Sequence, residues 1–162
     1  MNVKDRYISS NIVEDLNEKM VFVAGPRQVG KTTLAQKIIG KYFKKFSYYN
    51  WDNRNDRKMI LNSTFKGDSE LLIFDEIHKY PEWKNFLKGE YDKLKEKYKF
   101  LITGSARLDI FRKGSDSLMG RYFYYRLHPF SLTELLGIKN NNFTPFKEVL
   151  INSESNYNEL ET

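Results

Sequence analysis

The 162-residue chain contains no cysteine, which excludes disulfides, thiolate-bound zinc and cysteine nucleophiles. Histidine is nearly as scarce. His78 and His128 are the whole supply, far apart in sequence and without an adjoining cluster of ligands, a pattern that argues against a metal centre or a Ser-His hydrolase. No segment approaches the ~20 apolar residues that a membrane-spanning helix requires. The opening Met1-Asn2-Val3-Lys4-Asp5-Arg6 leads into no apolar core of signal-peptide length. Together these absences predict a cytoplasmic protein without a membrane span. Repeats and low-complexity arrays are lacking too, and the length suits one domain with its own core.

Aromatic residues make up 15% of the chain and supply large apolar bodies for that core. The net charge of +6 is unevenly spread: all 27 Lys and Arg lie at or before Lys147, whereas Glu148, Glu154, Glu159 and Glu161 follow it. A basic body with an acidic tail is compatible with nucleic acid or another polyanion. Ordinary solvated helix faces account for it more simply, as in Glu90-Tyr91-Asp92-Lys93-Leu94-Lys95-Glu96-Lys97, where the signs are mixed.

The most informative stretch is Gly25-Pro26-Arg27-Gln28-Val29-Gly30-Lys31-Thr32, which fits G-x-x-x-x-G-K-[ST] and follows the apolar run Met20-Val21-Phe22-Val23-Ala24. A glycine-bearing turn between a strand and a helix lets successive backbone N–H groups converge on phosphate oxygens. Lys31 would reach the β/γ-phosphates of a nucleotide. Thr32 would ligate Mg²⁺ from the first helical turn, and the residues of the loop through Thr33 form the expected ATP-binding set. Leu34 and Ile38 then recur at helical spacing.

Along the chain, residues 5–19 read as a helix with Ile8, Ile12 and Leu16 on one face. Further strands are predicted at 45–52, 71–74, 99–103 and 122–127, and helices at 56–62, 81–98 and 107–113. The helix at 81–98 would face inward with Phe86, Leu87 and Leu94. Another helix starts at Ser131 with Glu134 at the capping-box position and ends near Gly137. The alternation predicts an α/β fold: a P-loop NTPase with a mostly parallel five-stranded sheet flanked by helices. The core is expected over residues 1–138. Residues 139–162 would form a partial extension, with a short helix at 145–151 and a frayed tail.

Ligands in such sheets bind at the carboxyl ends of the strands. That rule gathers Gly25–Thr32, Asp52, Asp75-Glu76 and Gly104-Ser105 on one rim. An aspartate ending the buried run Leu71-Leu72-Ile73-Phe74 matches the Walker B role, holding Mg²⁺ through its carboxylate, and Glu76 is positioned to accept a proton from the attacking water. Ser105 would touch the γ-phosphate or that water, or else serve as a turn serine. Asp52 would support the metal, or cap a helix. His78 and Lys79 follow Glu76 closely enough to influence it electrostatically, and Trp83 is a packing residue. Positive charge on the transferred phosphoryl group would come from Arg27, Arg107, Arg112 or Arg121, with Arg121 favoured because a turn there can present it to another subunit.

These motifs, with Leu71–Trp83, Leu101–Ala106 and Gly120–Leu135, resemble the AAA+-type ATPases of archaea and bacteria whose P-loop domain is usually followed by a C-terminal domain of poorly defined function. The resemblance spans about residues 5–137. It implies ATP and Mg²⁺ as ligands, Lys31 and Thr32 at the phosphates and metal, Asp75 as the metal residue, Glu76 as catalytic base, Ser105 at the sensor-1 position and Arg121 as an arginine finger. Such proteins continue into a helical lid, so this chain is expected to be shortened, with the lid largely absent and a further domain or partner protein completing it. The resulting expectation is a Mg²⁺-dependent ATPase. The rival is a nucleotide-responsive module that binds nucleic acid or protein with little turnover. A small-molecule kinase is disfavoured by Asp75-Glu76, because a water-activating glutamate would waste the phosphoryl group.

Overall fold

Strands that are apolar at successive positions need cover on both faces, and helical segments supply it from opposite sides. The computed structural model describes residues 5–105 and 118–136. Its strands are β1 (Met20–Ala24), β2 (Phe46–Asn50), β3 (Leu71–Asp75), β4 (Lys99–Gly104) and β5 (Tyr122–Arg126), paired in the order β2-β3-β4-β1-β5. All four ladders are parallel. Every carboxyl end therefore meets one rim, and β4 separates the strand that feeds the glycine-bearing loop from the strand that ends in Asp75.

Side chains alternate across a strand with a period of two. Phe22, Leu72, Phe74, Phe100 and Ile102 enter one layer, where α3 (Arg54–Leu61) and α4 (Trp83–Leu94) contribute Ile60, Trp83, Leu87 and Tyr91. The intervening Val21, Val23, Leu71, Ile73 and Leu101 enter the other, closed by Ile12 of α1 (Ser9–Asp15), by Leu16 just after it and by Leu34, Ile38 and Ile39. These last three follow α2 (Lys31–Thr33), which widens into a π-helical turn over Leu34–Ile38 and tightens to a 3₁₀ turn over Ile39–Tyr42.

The predicted elements recur with shifted ends, each for a local reason. α1 starts later than residue 5, with Arg6 outside it donating from its guanidinium to the carbonyls of Val29 (3.3 Å) and His128 (2.6 Å), and it ends at Asp15, where the N–H groups of Asn17 and Glu18 turn to the Glu14 and Asp15 carbonyls. α3 begins before Asp56 because the Asn53 side chain accepts from the N–H groups of Asn55 and Asp56 and caps it. α4 ends early, where Lys97 and Tyr98 both donate to the Leu94 carbonyl. Its inward face is Trp83, Leu87 and Tyr91, while Phe86 and Leu94 are half-buried at the margin of the layer.

Contacts divide the chain into Met1–Ser131, which carries the whole sheet, and Leu132–Thr162, of which α5 (Leu132–Leu136) is described. The helix expected from Ser131 is found as α5, with Glu134 in its first turn. The expected helices at 107–113 and 145–151, the tail 152–162, Arg107 and Arg112 lie outside the described residues. Among the described residues, no helix is long and apolar enough to cross a membrane.

Candidate functional site

The loop after β1 is shaped by two glycines for different reasons. Gly30 has φ +97°, a left-handed conformation that side-chain-bearing residues adopt at a cost, although a Cβ there would stand in open space. Gly25 is required by close approach: a Cβ there would stand 2.4 Å from the Leu127 carbonyl oxygen, just past β5. Gln28 also has positive φ, 63°. Such a loop turns its N–H groups inward, and the helix that starts at Lys31 adds its positive end.

Lys31 is buried, and its Nζ donates to the carbonyls of Gly25 (3.0 Å) and Pro26 (2.6 Å). Burial pushes its ammonium below the usual lysine range, while the nearby carboxylates of Glu76 and Asp75 pull it back up. Further negative charge brought into the loop would favour the charged ammonium against the cost of its burial.

Asp75, at the end of β3, is 4% exposed, and its carboxylate accepts three hydroxyl hydrogen bonds. Thr32 Oγ1 donates to Oδ2 at 3.0 Å, Tyr48 Oη to the same oxygen at 2.6 Å, and Thr103 Oγ1 to Oδ1 at 2.6 Å. Neither Tyr48 nor Thr103 was among the residues expected from sequence. Thr103 is the register partner of Asp75 across the β3–β4 ladder, and Tyr48 projects from β2 on the same face as Ile73. The signal for Thr103 was a polar residue inside the apolar run Phe100-Leu101-Ile102-Thr103-Gly104.

Glu76 leaves the strand in a left-handed conformation, φ 57°, with its N–H on the Thr103 carbonyl at 2.9 Å. Its Oε2 lies 3.5 Å from both His78 Nε2 and Lys79 Nζ. Lys79 in turn pairs with Asp52, which holds its ammonium above the usual lysine value. Lys31, Thr32, Asp52, Asp75, Glu76 and Lys79 thus line one open cleft of about 610 Å³ with the loop residues Arg27, Gln28, Gly30 and Thr33. Ser105, just beyond β4, is engaged with His78 at 3.1 Å.

Arg121 is not brought to this cleft. It precedes β5, where its carbonyl accepts from the Met20 N–H at the amino end of β1, and its guanidinium makes a bidentate pair with Asp92 at 2.8 and 3.0 Å. In a parallel sheet that position is the rim opposite the loop.

Residues 17–136 match the family model described as AAA domain. The chain belongs to that family. Its AAA domain is an AAA+-type P-loop ATPase domain, and the α/β sheet order and loop geometry above are its expression in this sequence. The AAA domain is similar to the uncharacterized proteins Rv2008c of Mycobacterium tuberculosis and Mb2031c of Mycobacterium bovis, at 33% identity over 104 residues. That stretch is 63% of this chain and 23% of each relative, so the match spans less than a quarter of their length. Among solved structures it is similar to the ORC1 protein of Aeropyrum pernix in complex with DNA (TM-score 0.60, 14% identity, 85% of this chain and 48% of that one). It is also similar to Pif1 of a Bacteroides species in complex with ADP-AlF4 (TM-score 0.54, 17% identity, 78% and 42%). A third is a signal transduction ATPase with a tetratricopeptide repeat sensor from Pyrococcus horikoshii (TM-score 0.51, 19% identity, 90% and 27%). At these identities the likeness is one of fold.

Proposed function

We propose that this AAA domain binds ATP with Mg²⁺ and hydrolyses it to ADP and inorganic phosphate. The observation that carries the reading is the convergence of Lys31 and Thr32 with Asp75 and Glu76, from two segments far apart in sequence, on one rim of a parallel sheet. The donor set suits magnesium: a hydroxyl and a carboxylate oxygen 3.0 Å apart offer hard ligands, and phosphate and water complete the shell in such sites. Thr32 and Asp75 would hold the ion, which when bound neutralises charge on the β/γ-phosphate oxygens. Loop N–H groups and the Lys31 ammonium orient the triphosphate, with Thr33 at the first helical turn. Glu76 takes a proton from the attacking water as its oxygen bonds to the γ-phosphorus and the β–γ bridge breaks.

A cavity of about 320 Å³ beside the loop, walled by Pro26, Val29, Leu34, Ile38, Pro129 and Phe130, offers an apolar seat of a size suited to the nucleobase. Ser105 acts through contact with the terminal phosphate. Arg121, on the far rim, reaches a phosphate only in a second copy of the chain, and self-association is proposed on that ground.

Lys31→Ala should weaken ATP binding at least tenfold in a titration with a fluorescent ATP analogue; an unchanged dissociation constant would overturn the phosphate assignment. One observation favours a second reading. Tyr42 is 57% and Phe46 37% exposed, in a segment that also carries Lys41, Lys44 and Lys45, and exposed rings among cations suit single-stranded nucleic acid. Salt-sensitive nucleic-acid binding that survives in Lys31→Ala, in a protein without turnover, would favour a nucleotide-responsive binding module.

A further inference from the structure

His78 lies in the 3₁₀ turn Ile77–Lys79, and its side chain is 7% exposed. One atom of its ring, Nε2, stands 3.1 Å from Ser105 Oγ and 3.5 Å from Glu76 Oε2. These neighbours come from the ends of β4 and β3, adjacent strands on the rim that also carries the loop after β1. The chemistry of the pair selects the ring's protonation at that atom. A carboxylate only accepts, and a hydroxyl accepts as readily as it donates, so an N–H at Nε2 serves both, whereas a lone pair there would face the carboxylate. A single N–H donates well along one direction at a time. The hydroxyl, at 3.1 Å, holds it here, and the carboxylate waits at a distance too long for a good hydrogen bond.

We infer that His78 is a positioning residue that couples Ser105 to Glu76: when the Ser105 hydroxyl turns to a terminal phosphate oxygen, the Nε2–H turns to the Glu76 carboxylate and fixes its direction toward the attacking water. The inference rests on the ATPase reading for its consequence in turnover, but the coupling itself concerns the state of one imidazole. The turn geometry supports it independently. Glu76 is held by its backbone at φ 57° with its N–H on Thr103, so the swing of its side chain is left to be fixed by what the carboxylate meets. Lys79, shared with Asp52, meets the same oxygen at 3.5 Å from the solvent side, and His78 meets it from the protein side.

With two histidines in the chain, the His78 ring signals are separable by nuclear magnetic resonance on ¹⁵N-histidine-labelled protein. The Nε2 and Cε1–H resonances should shift on adding Mg²⁺ with the non-hydrolysable analogue AMPPNP, and shift little with Mg²⁺ and ADP. Phosphate release and analogue affinity are measured in parallel on wild type, His78→Phe and His78→Gln. His78→Phe should lower kcat about tenfold or more with nucleotide affinity within twofold of wild type, and His78→Gln, which returns an N–H donor at similar reach, should recover much of the rate.

A ring that responds identically to AMPPNP and ADP, or a His78→Phe protein that turns over at the wild-type rate, overturns the coupling. Wild-type protein that releases no phosphate counts against the ATPase reading alone, and the ring response to AMPPNP against ADP then decides the coupling by itself. If His78→Phe does not fold, the wild-type ring signals and His78→Gln carry the test.

Discussion

Asp75 does more than end a strand. Its carboxylate collects hydroxyl donors from Thr32, Tyr48 and Thr103, on the helix after the loop, β2 and β4. Burial, with that carboxylate alongside, raises the Tyr48 hydroxyl above its ordinary value of 10.0, so it remains a donor through the neutral range. Tyr125 is raised in the same way by burial and by Asp15. A folded-state value above the unfolded one gives stability that is fully present below pH 10 and is lost as pH climbs through the folded value. Resistance to urea should therefore fall above about pH 10, by no more than about 1.4 kcal/mol per pH unit for each of the two tyrosines. Tyr48→Phe should make that fall shallower, and parallel slopes in variant and wild type would contradict the account. Of this cluster, Asp75, Glu76 and Thr32 were legible in sequence because motif spacing ties each to a strand end. Tyr48 and Thr103 were not, since their place beside Asp75 is set by strand register, which no local pattern encodes.

At the scale of elements, the loop after β1 and the exit of β5 are one construction. The Leu127 N–H donates to the Ala24 carbonyl at 2.7 Å, and the Leu127 carbonyl then presses on Gly25. Gly25→Ala must push the β5 exit off β1, with an expected loss of about 1–3 kcal/mol and weaker nucleotide binding. Gly30→Ala meets no neighbouring atom within 4 Å and strains only its own backbone, about 1–2 kcal/mol. Urea denaturation of the two variants, with nucleotide titration of each, checks the distinction; equal binding of nucleotide by Gly25→Ala and wild type would contradict it. The motif called for both glycines on one ground, convergence on phosphate. The separate reason for Gly25 is invisible in sequence because Leu127 is about a hundred residues away. Strand and helix positions were more legible, since β1 and the Leu71–Phe74 stretch of β3 are continuous apolar runs, buried throughout. Their ends moved where a side chain intervened, Arg6 before α1 and Asn53 before α3.

At the scale of the whole molecule, the all-parallel sheet sets the cleft residues and the Arg121–Asp92 pair on opposite rims. The carboxyl rim gathers Lys31, Thr32, Asp75 and Glu76, the residues proposed to handle the triphosphate. The amino rim holds Arg121 and Asp92, separated from the first by the length of a five-residue strand, ~16 Å. Arg121 lies just before the fifth strand, and the parallel direction of that strand means that the finger role proposed for it would be one between copies rather than within one. The central claim is that Glu76, aligned with Lys31, Thr32 and Asp75, activates water against ATP. It is tested most directly by phosphate release from Mg²⁺-ATP at saturating nucleotide, wild type beside Glu76→Gln. The account predicts steady release by wild type and a loss of roughly 10²-fold or more in the variant with ATP still bound. Equal release by the two proteins would contradict it.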